Sequence, residues 1–208
     1  MSKNLLLEIG TEEMPANIMS GVVDQLRVLA ENAFGENRIS LKEITVYATP
    51  RRLAVLVKEA ADRQPDEEVK KRGPSIKAAF DEDGNPTRAA QGFARGQHID
   101  PSELIREGEY TWAHVVNEGK KIEDILPSLF TSLITGLNFT RSMRWADEEA
   151  RFIRPIRWIV ALCGSEVVPM EFAHVKSGRI SRGHRFLCKE DVTIESPETY
   201  KETMRKAS

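Results

Sequence analysis

The sequence predicts an α+β fold, a mixed or antiparallel sheet with packed helices, on two observations. β-rich runs come in consecutive pairs around tight corners, at 43–57 and again at 155–174. Two stretches, 14–33 and 122–137, carry apolar residues three or four positions apart, the spacing of one helix face.

Taken in order, Asn4 to Ile9 reads as a strand. A helix is expected next, entered through Thr11, with Glu12 and Glu13 at its positive end and Pro15 in its first turn. Met14, Ile18, Val22, Leu26, Leu29 and Ala33 would form its apolar face, ending near Gly35. Glu43 to Ala48 and Arg51 to Val57 read as strands about a Thr49-Pro50 corner. The nearly all-polar segment 59–72 reads as an internal linker. Asp81 to Pro86 is a turn by composition, Thr87 to Arg95 a short helix behind it, and Tyr110 to Val116 a strand.

The clearest helix spans Ile122 to Leu137, with Pro127 in its first turn or at a kink. Pro155 to Cys163, a turn at Gly164-Ser165, and Val167 to His174 read as a hairpin, and the unbroken apolar run Trp158 to Cys163 implies burial on both faces. Ser196-Pro197-Glu198 is a good helix start, so 197–208 reads as the beginning of a helix that stops without a C-terminal signal. The chain 1–208 is therefore expected to be the amino-terminal α+β region of a longer protein.

Composition narrows the function. With 208 residues, 40% hydrophobic, 30% charged and a net charge of -2, the chain has the balance of an ordinary globular protein. The longest apolar run, Trp158 to Cys163, is far short of a membrane span. Glu8 interrupts Leu5-Leu6-Leu7 before a secretory signal can form, so a cytoplasmic location is expected. Two cysteines, Cys163 and Cys188, make no disulfide framework.

The charge is unevenly spread. Asn138 to Phe186 holds nine basic residues against five acids, inside an otherwise acidic chain. This points to a polyanion or carboxylate partner. The candidates for RNA binding are Arg141, Arg144, Arg151, Arg157, Arg179, Arg182, His184 and Arg185. Arginine presents a planar, permanently charged fork that matches phosphate oxygens, and Gly178 and Gly183 let the 177–186 loop bring backbone N–H groups toward an anion. The three loop arginines, Arg179, Arg182 and Arg185, are the foremost ligands on this reading. Arg154, sharing a strand face with Ile156 and Trp158, would need a carboxylate such as Glu148 or Glu149.

Other chemistries find no support in the pattern. There is no Walker loop, no dinucleotide-binding glycine motif, no HExxH and no GxSxG. The Asp81–Pro86 turn has its glycine at the wrong place for a calcium loop, and Cys163, His174, His184 and Cys188 lack zinc spacing. No metal and no catalytic residue is assigned.

Several stretches in order carry a resemblance: LLLEIGTEEMPA at 5–16, ATPRRLAV at 48–55, RGPSIKAAFDEDGNPTRAAQGFARG at 72–96, SMRW at 142–145, FIRPIRWIVAL at 152–162 and SGRISRGHRF at 177–186. In these the chain resembles the beta subunit of bacterial tetrameric glycyl-tRNA synthetase. One departure is Ala146, where the family usually has glycine. The resemblance implies a chain several times longer, an alpha subunit that carries the ATP-dependent glycine-activating site, a tetramer of two alpha and two beta chains, and tRNA specific for glycine as partner. It implies no cofactor in this region, and a fold similar to the editing-type domain of phenylalanyl-tRNA synthetase beta chains. Three roles remain open here: a non-catalytic tRNA-binding and assembly region, a purely structural module packing on alpha or the rest of beta, and a residual hydrolytic editing site using His184 or His174.

Overall fold

Residues Ser2–Thr11 form β1, the strand on which the larger of two units is built. The computed structural model describes residues 2–140, 142–144, 151–188 and 190–207. Its larger unit comprises Met1–Gln64 and Lys120–Ser208, and its smaller one Pro65–Gly119. Among the described residues no helix is long and apolar enough to cross a membrane.

After β1 come a short 3-10 turn, Ala16–Ile18, and α1, Met19–Glu36. Then β2, Glu43–Thr49, and β3, Arg52–Ala61, turn about Pro50 as the corner predicts. The smaller unit contributes β4, Glu67–Ser75; α2, Ile76–Ala79; α3, Arg88–Gly96; β5, Ile105–Glu107; and β6, Tyr110–Asn117. The chain returns in α4, Ile122–Thr135, followed by β7, Met143–Arg144; β8, Arg151–Phe152; and β9, Ile156–Cys163. It ends in β10, Glu166–Val167; β11, Glu171–Phe172; β12, Val175–Gly178; β13, Ile180–Arg182; β14, Asp191–Thr193; and α5, Tyr200–Lys206.

The main sheet runs in the order β11-β12-β9-β1-β3-β2, with β10 also on β9. All its pairings are antiparallel except β12 on β9, so it is mixed. β1 lies at its centre and is buried on both faces, which is why Leu5, Leu6, Leu7 and Ile9 are all inaccessible. Leu5, Leu7 and Ile9 join Val22, Leu26, Ala30 and Phe34 of α1 and the apolar face of α4 in the principal core. Leu6 points to the opposite face, with Leu56, Trp158, Val160, Leu162, Ile194 and Tyr200. Pro127 sits in the second turn of α4, and the buried face of that helix holds it together across the missing N–H.

The smaller unit holds a three-stranded antiparallel sheet, β4-β6-β5, whose Ala113 clusters with Ala79, Ala90 and Ala94 and with Leu104 just ahead of β5. The Asp81–Asn85 turn is closed by the Asp81 carboxylate, which accepts from Asn85 N at 2.7 Å.

Three expectations change. Thr11 does not enter a helix; it ends β1, its N–H donating to Arg51 O at 2.8 Å. Glu12 N and Met14 N likewise bond to Pro155 O and Pro50 O, and Pro15 is extended, so α1 begins only at Met19. The segment 59–72 is largely strand, the end of β3 and most of β4, and its polarity is that of an exposed edge strand. The chain passes between units at Gln64 and Pro65, within that segment. Finally, the hairpin after β9 is short. Val168 N donates to Ala161 O at 2.9 Å, and then Pro169 cannot continue the ladder; β11 folds onto β12 instead.

Candidate functional site

A buried carboxylate organises the face of the sheet away from the principal core. Glu8 is fully buried at the centre of β1. Its neighbours across the sheet are Ala54 and Val160, and the next row holds Arg52, Gly10 and Trp158. The small residues Ala54 and Gly10 leave room for two large heads to lean over the carboxylate. A Cβ at Gly10 would stand 1.9 Å from Trp158 Cε2, so only bare backbone lets the indole lie there.

Trp158 Nε1 and Ser181 Oγ each donate to Glu8 Oε1 at 2.5 Å, and Tyr200 Oη donates to Oε2 at 2.5 Å. Arg52 Nη1 stands 3.6 Å from Oε2. A charge this deeply buried is tolerable because it is paired and hydrogen-bonded. Burial and the Glu8 charge hold the Tyr200 hydroxyl well above its ordinary pKa of 10.0, so it stays a donor. Arg52 also donates through Nη2 to the carbonyl of Arg182, and thereby ties the buried carboxylate to the 177–186 segment.

On this platform lies a cavity of about 480 Å³, walled by Tyr47, Pro50, Arg51, Arg52, His184, Arg185, Phe186 and Met204, with Tyr200 at its base. A smaller one of about 270 Å³ is lined by Arg51, Arg182, Gly183, Arg185, Cys188, Glu190 and Asp191. The guanidinium carbons of Arg51 and Arg182 stand 5.9 and 5.3 Å from the centre of the Trp158 ring. Arg185 pairs with Glu13 at 3.2 Å and Arg157 with Glu12 at 2.7 Å. The hydrogen bond from Arg157, then the charges of Arg157, Arg185 and Arg51, hold the Glu12 carboxyl below its usual range. Glu12 and Glu13 thus serve arginines; the helix-start role expected for them is lost with the shift of α1 to Met19.

The sequence candidates separate. Arg182, His184 and Arg185 come together at the cavities. Arg179 does not; half-buried, it donates to Ser165 O at 2.8 Å and pairs with Glu195 at 3.5 Å, clamping the turn after β9. His184 Nδ1 accepts from the N–H groups of Phe186 and Leu187 at 3.3 Å, folding its own turn. His174 sits apart, in the turn between β11 and β12 with a φ of 63°. Arg157 is exposed on β9, and Arg151 is exposed on β8. Arg144 lies in β7 with its side chain outside the described atoms, and Arg141, Ala146, Glu148 and Glu149 lie outside the described residues. Arg154 is not in a strand; it donates to Glu13 O at 3.0 Å and Ile153 O at 3.1 Å, two backbone carbonyls among the described residues.

Four site residues escape a reading of the loop alone: Glu8, Arg51, Arg52 and Tyr200. A signal existed for two kinds of them. A single glutamate inside LLLEIG must be paired if the strand is central, and Arg51-Arg52 follows a Pro corner that ends a strand at the sheet rim.

The chain is similar over residues 5–208 to a family described as glycyl-tRNA synthetase beta subunit. It is 50% identical over 211 residues to the glycine–tRNA ligase beta subunit of Desulfitobacterium hafniense (strain DSM 10664 / DCB-2), covering 100% of this chain and 30% of that protein. It is 47% identical over 209 residues to the same subunit of Natranaerobius thermophilus, covering 99% and 30%. For Oceanobacillus iheyensis the figures are 43% over 211 residues, 99% and 30%. The chain thus spans about 30% of the length of the curated relatives it matches. With a match that runs through β1, the Arg51-Arg52 corner and the 177–186 segment alike, the chain belongs to the glycyl-tRNA synthetase beta subunit family.

Proposed function

We propose that this chain is an RNA-binding and assembly region of glycine–tRNA ligase, the enzyme that joins glycine to its tRNA with ATP. The observation that carries the reading is the arginine-rimmed pair of cavities, with Arg51, Arg182 and Arg185 presented on a platform that a buried carboxylate fixes. Arginines held in place ahead of binding lose little freedom when they meet phosphate oxygens. The region itself carries no chemistry in this proposal. The engagement of His184 Nδ1 in its own turn supports that view over a hydrolytic editing site.

Family membership supports the remaining parts of the proposal. An alpha subunit supplies the glycine- and ATP-binding site, two alpha and two beta chains assemble in the cytoplasm, and no cofactor resides in this region. The α+β architecture is proposed to be akin to the editing-type domain of phenylalanyl-tRNA synthetase beta chains, with the reaction lost. The test is a titration of the chain with glycine-specific tRNA and with an unrelated tRNA at low and near-physiological salt. Binding that weakens steeply with salt is expected, its slope reporting the number of phosphate contacts. No binding at low salt would leave the region a structural module.

A further inference from the structure

The two cavities share a wall, made of Arg51, Gly183 and Arg185, and differ in chemistry on either side of it. The larger offers apolar surface from Tyr47, Pro50 and Met204, and at its mouth the ring of Phe186 is 75% exposed. The smaller is polar, with the three arginines facing Glu190 and Asp191. We infer that together they form one subsite for a single unstacked ribonucleotide of the bound RNA, its base in the apolar cavity and its phosphate in the basic one.

Charge accounting supports this division. Arg52 is taken up by Glu8, and Arg185 is half-satisfied by Glu13. Among the described residues Arg51 and Arg182 make no direct ion pair with a carboxylate, although the charge of Arg51 reaches Glu12; both lie against the Trp158 ring, which orients a guanidinium without neutralising it. Two oriented forks with no direct ion pair, at one small cavity, suit a phosphate group. The carboxylates of Glu190 and Asp191, which would repel a bare anion, suit the other end of the sugar: they accept hydrogen bonds from ribose hydroxyls, and the 2′-hydroxyl distinguishes RNA from DNA. A cavity of about 480 Å³ falls in the range of small-molecule sites, and an exposed aromatic ring at its mouth is a platform on which any base stacks.

The inference rests on the RNA-binding reading, and the experiment separates the two. Adenosine 5′-monophosphate, its 2′-deoxy form, adenosine and ribose 5-phosphate are titrated against the chain by calorimetry, alongside glycine-specific tRNA. The monophosphate is expected to bind about tenfold tighter than each of the other three, as each lacks one of the recognised parts. Arg182→Ala is expected to bring it down to the level of adenosine, and Phe186→Ala to that of ribose 5-phosphate. Both side chains are exposed, so circular dichroism of the variants should match the parent. A monophosphate that binds no tighter than ribose 5-phosphate, or that neither substitution weakens, overturns the subsite. If tRNA still binds in that case, only the subsite falls; if tRNA does not bind at low salt, the reading beneath it falls too.

Discussion

The hydroxyl of Tyr200 donates to Oε2 of Glu8 at 2.5 Å and so joins the last helix to the central strand. Tyr200→Phe keeps the ring and removes the donor, leaving part of a buried carboxylate unsatisfied. A loss of about 1.5–3 kcal/mol is expected, as for hydrogen bonds to charged groups, read from the urea midpoint. A midpoint equal to that of the parent would mean that water or Arg52 replaces the hydroxyl at no cost.

Alkaline pH should find the same weakness. The folded Tyr200 holds its proton well above pH 10.0, whereas the unfolded side chain ionises near that value. Burial likewise pushes the Cys163 thiol from 9.0 up to about 11. For both acids the folded pKa is the higher one, so their contribution is intact below the unfolded values and is lost as pH rises through them toward the folded ones. The unfolding free energy should fall through the window from pH 9.0 to about 11 for the thiol, and above 10.0 for the phenol. The slope is about 1.4 kcal/mol per pH unit for each group at most. Cys163→Ala should remove the earlier part of the decline and Tyr200→Phe the later part.

Two glycine substitutions should act in opposite directions. Gly10→Ala drives a methyl into the Trp158 ring and must displace the indole from Glu8; a cost of roughly 3 kcal/mol or more is expected. Gly21, on the exposed side of α1, has nothing within 4 Å of a Cβ. Gly21→Ala should stabilise by about 0.5–1 kcal/mol. Thermal unfolding of the pair is the check, and a stable Gly10→Ala protein would contradict the close approach.

Arg179 and Arg182 are three residues apart and should behave differently. Arg182→Ala is expected to weaken tRNA binding and to lower the salt slope by about one. Arg179→Ala removes the clamp on Ser165 O and Glu195, and should shift the unfolding midpoint while leaving the slope unchanged. Equal slopes in the two variants would mean that the structural distinction between them does not govern RNA contact.

The legible parts of the fold are those whose burial writes a period into the chain. β1, the β2–β3 pair, α4 and β9 all show it, because one face or both must be apolar. Thr11 misled because Thr-Glu-Glu-x-Pro has the chemistry of a helix cap, whereas hydrogen bonds to Arg51 O and Pro155 O, in connections distant along the chain, keep that segment extended. The 59–72 segment misled because an edge strand open to water on one face carries the same residues as a linker. At the site, the residue type pointed to an anion but not to which arginines are spent internally: the partners of Arg179 are Ser165 and Glu195, and nothing local marks them. Glu8 read as an interruption of an apolar run, and its three donors come from β9, β13 and α5.

The chain leaves the larger unit at Gln64 and re-enters at Lys120, where Gln64 N donates to Lys120 O at 2.9 Å and the backbones of Arg63 and Lys121 form an antiparallel bridge. To the sheet, then, everything between those residues is one long excursion closed at its neck. The entropy of closing such a loop grows only logarithmically, about 0.6 kcal/mol for each doubling of length. Material can be gained or lost at this neck with little penalty to the sheet, which makes it the natural place for a reporter domain to be grafted.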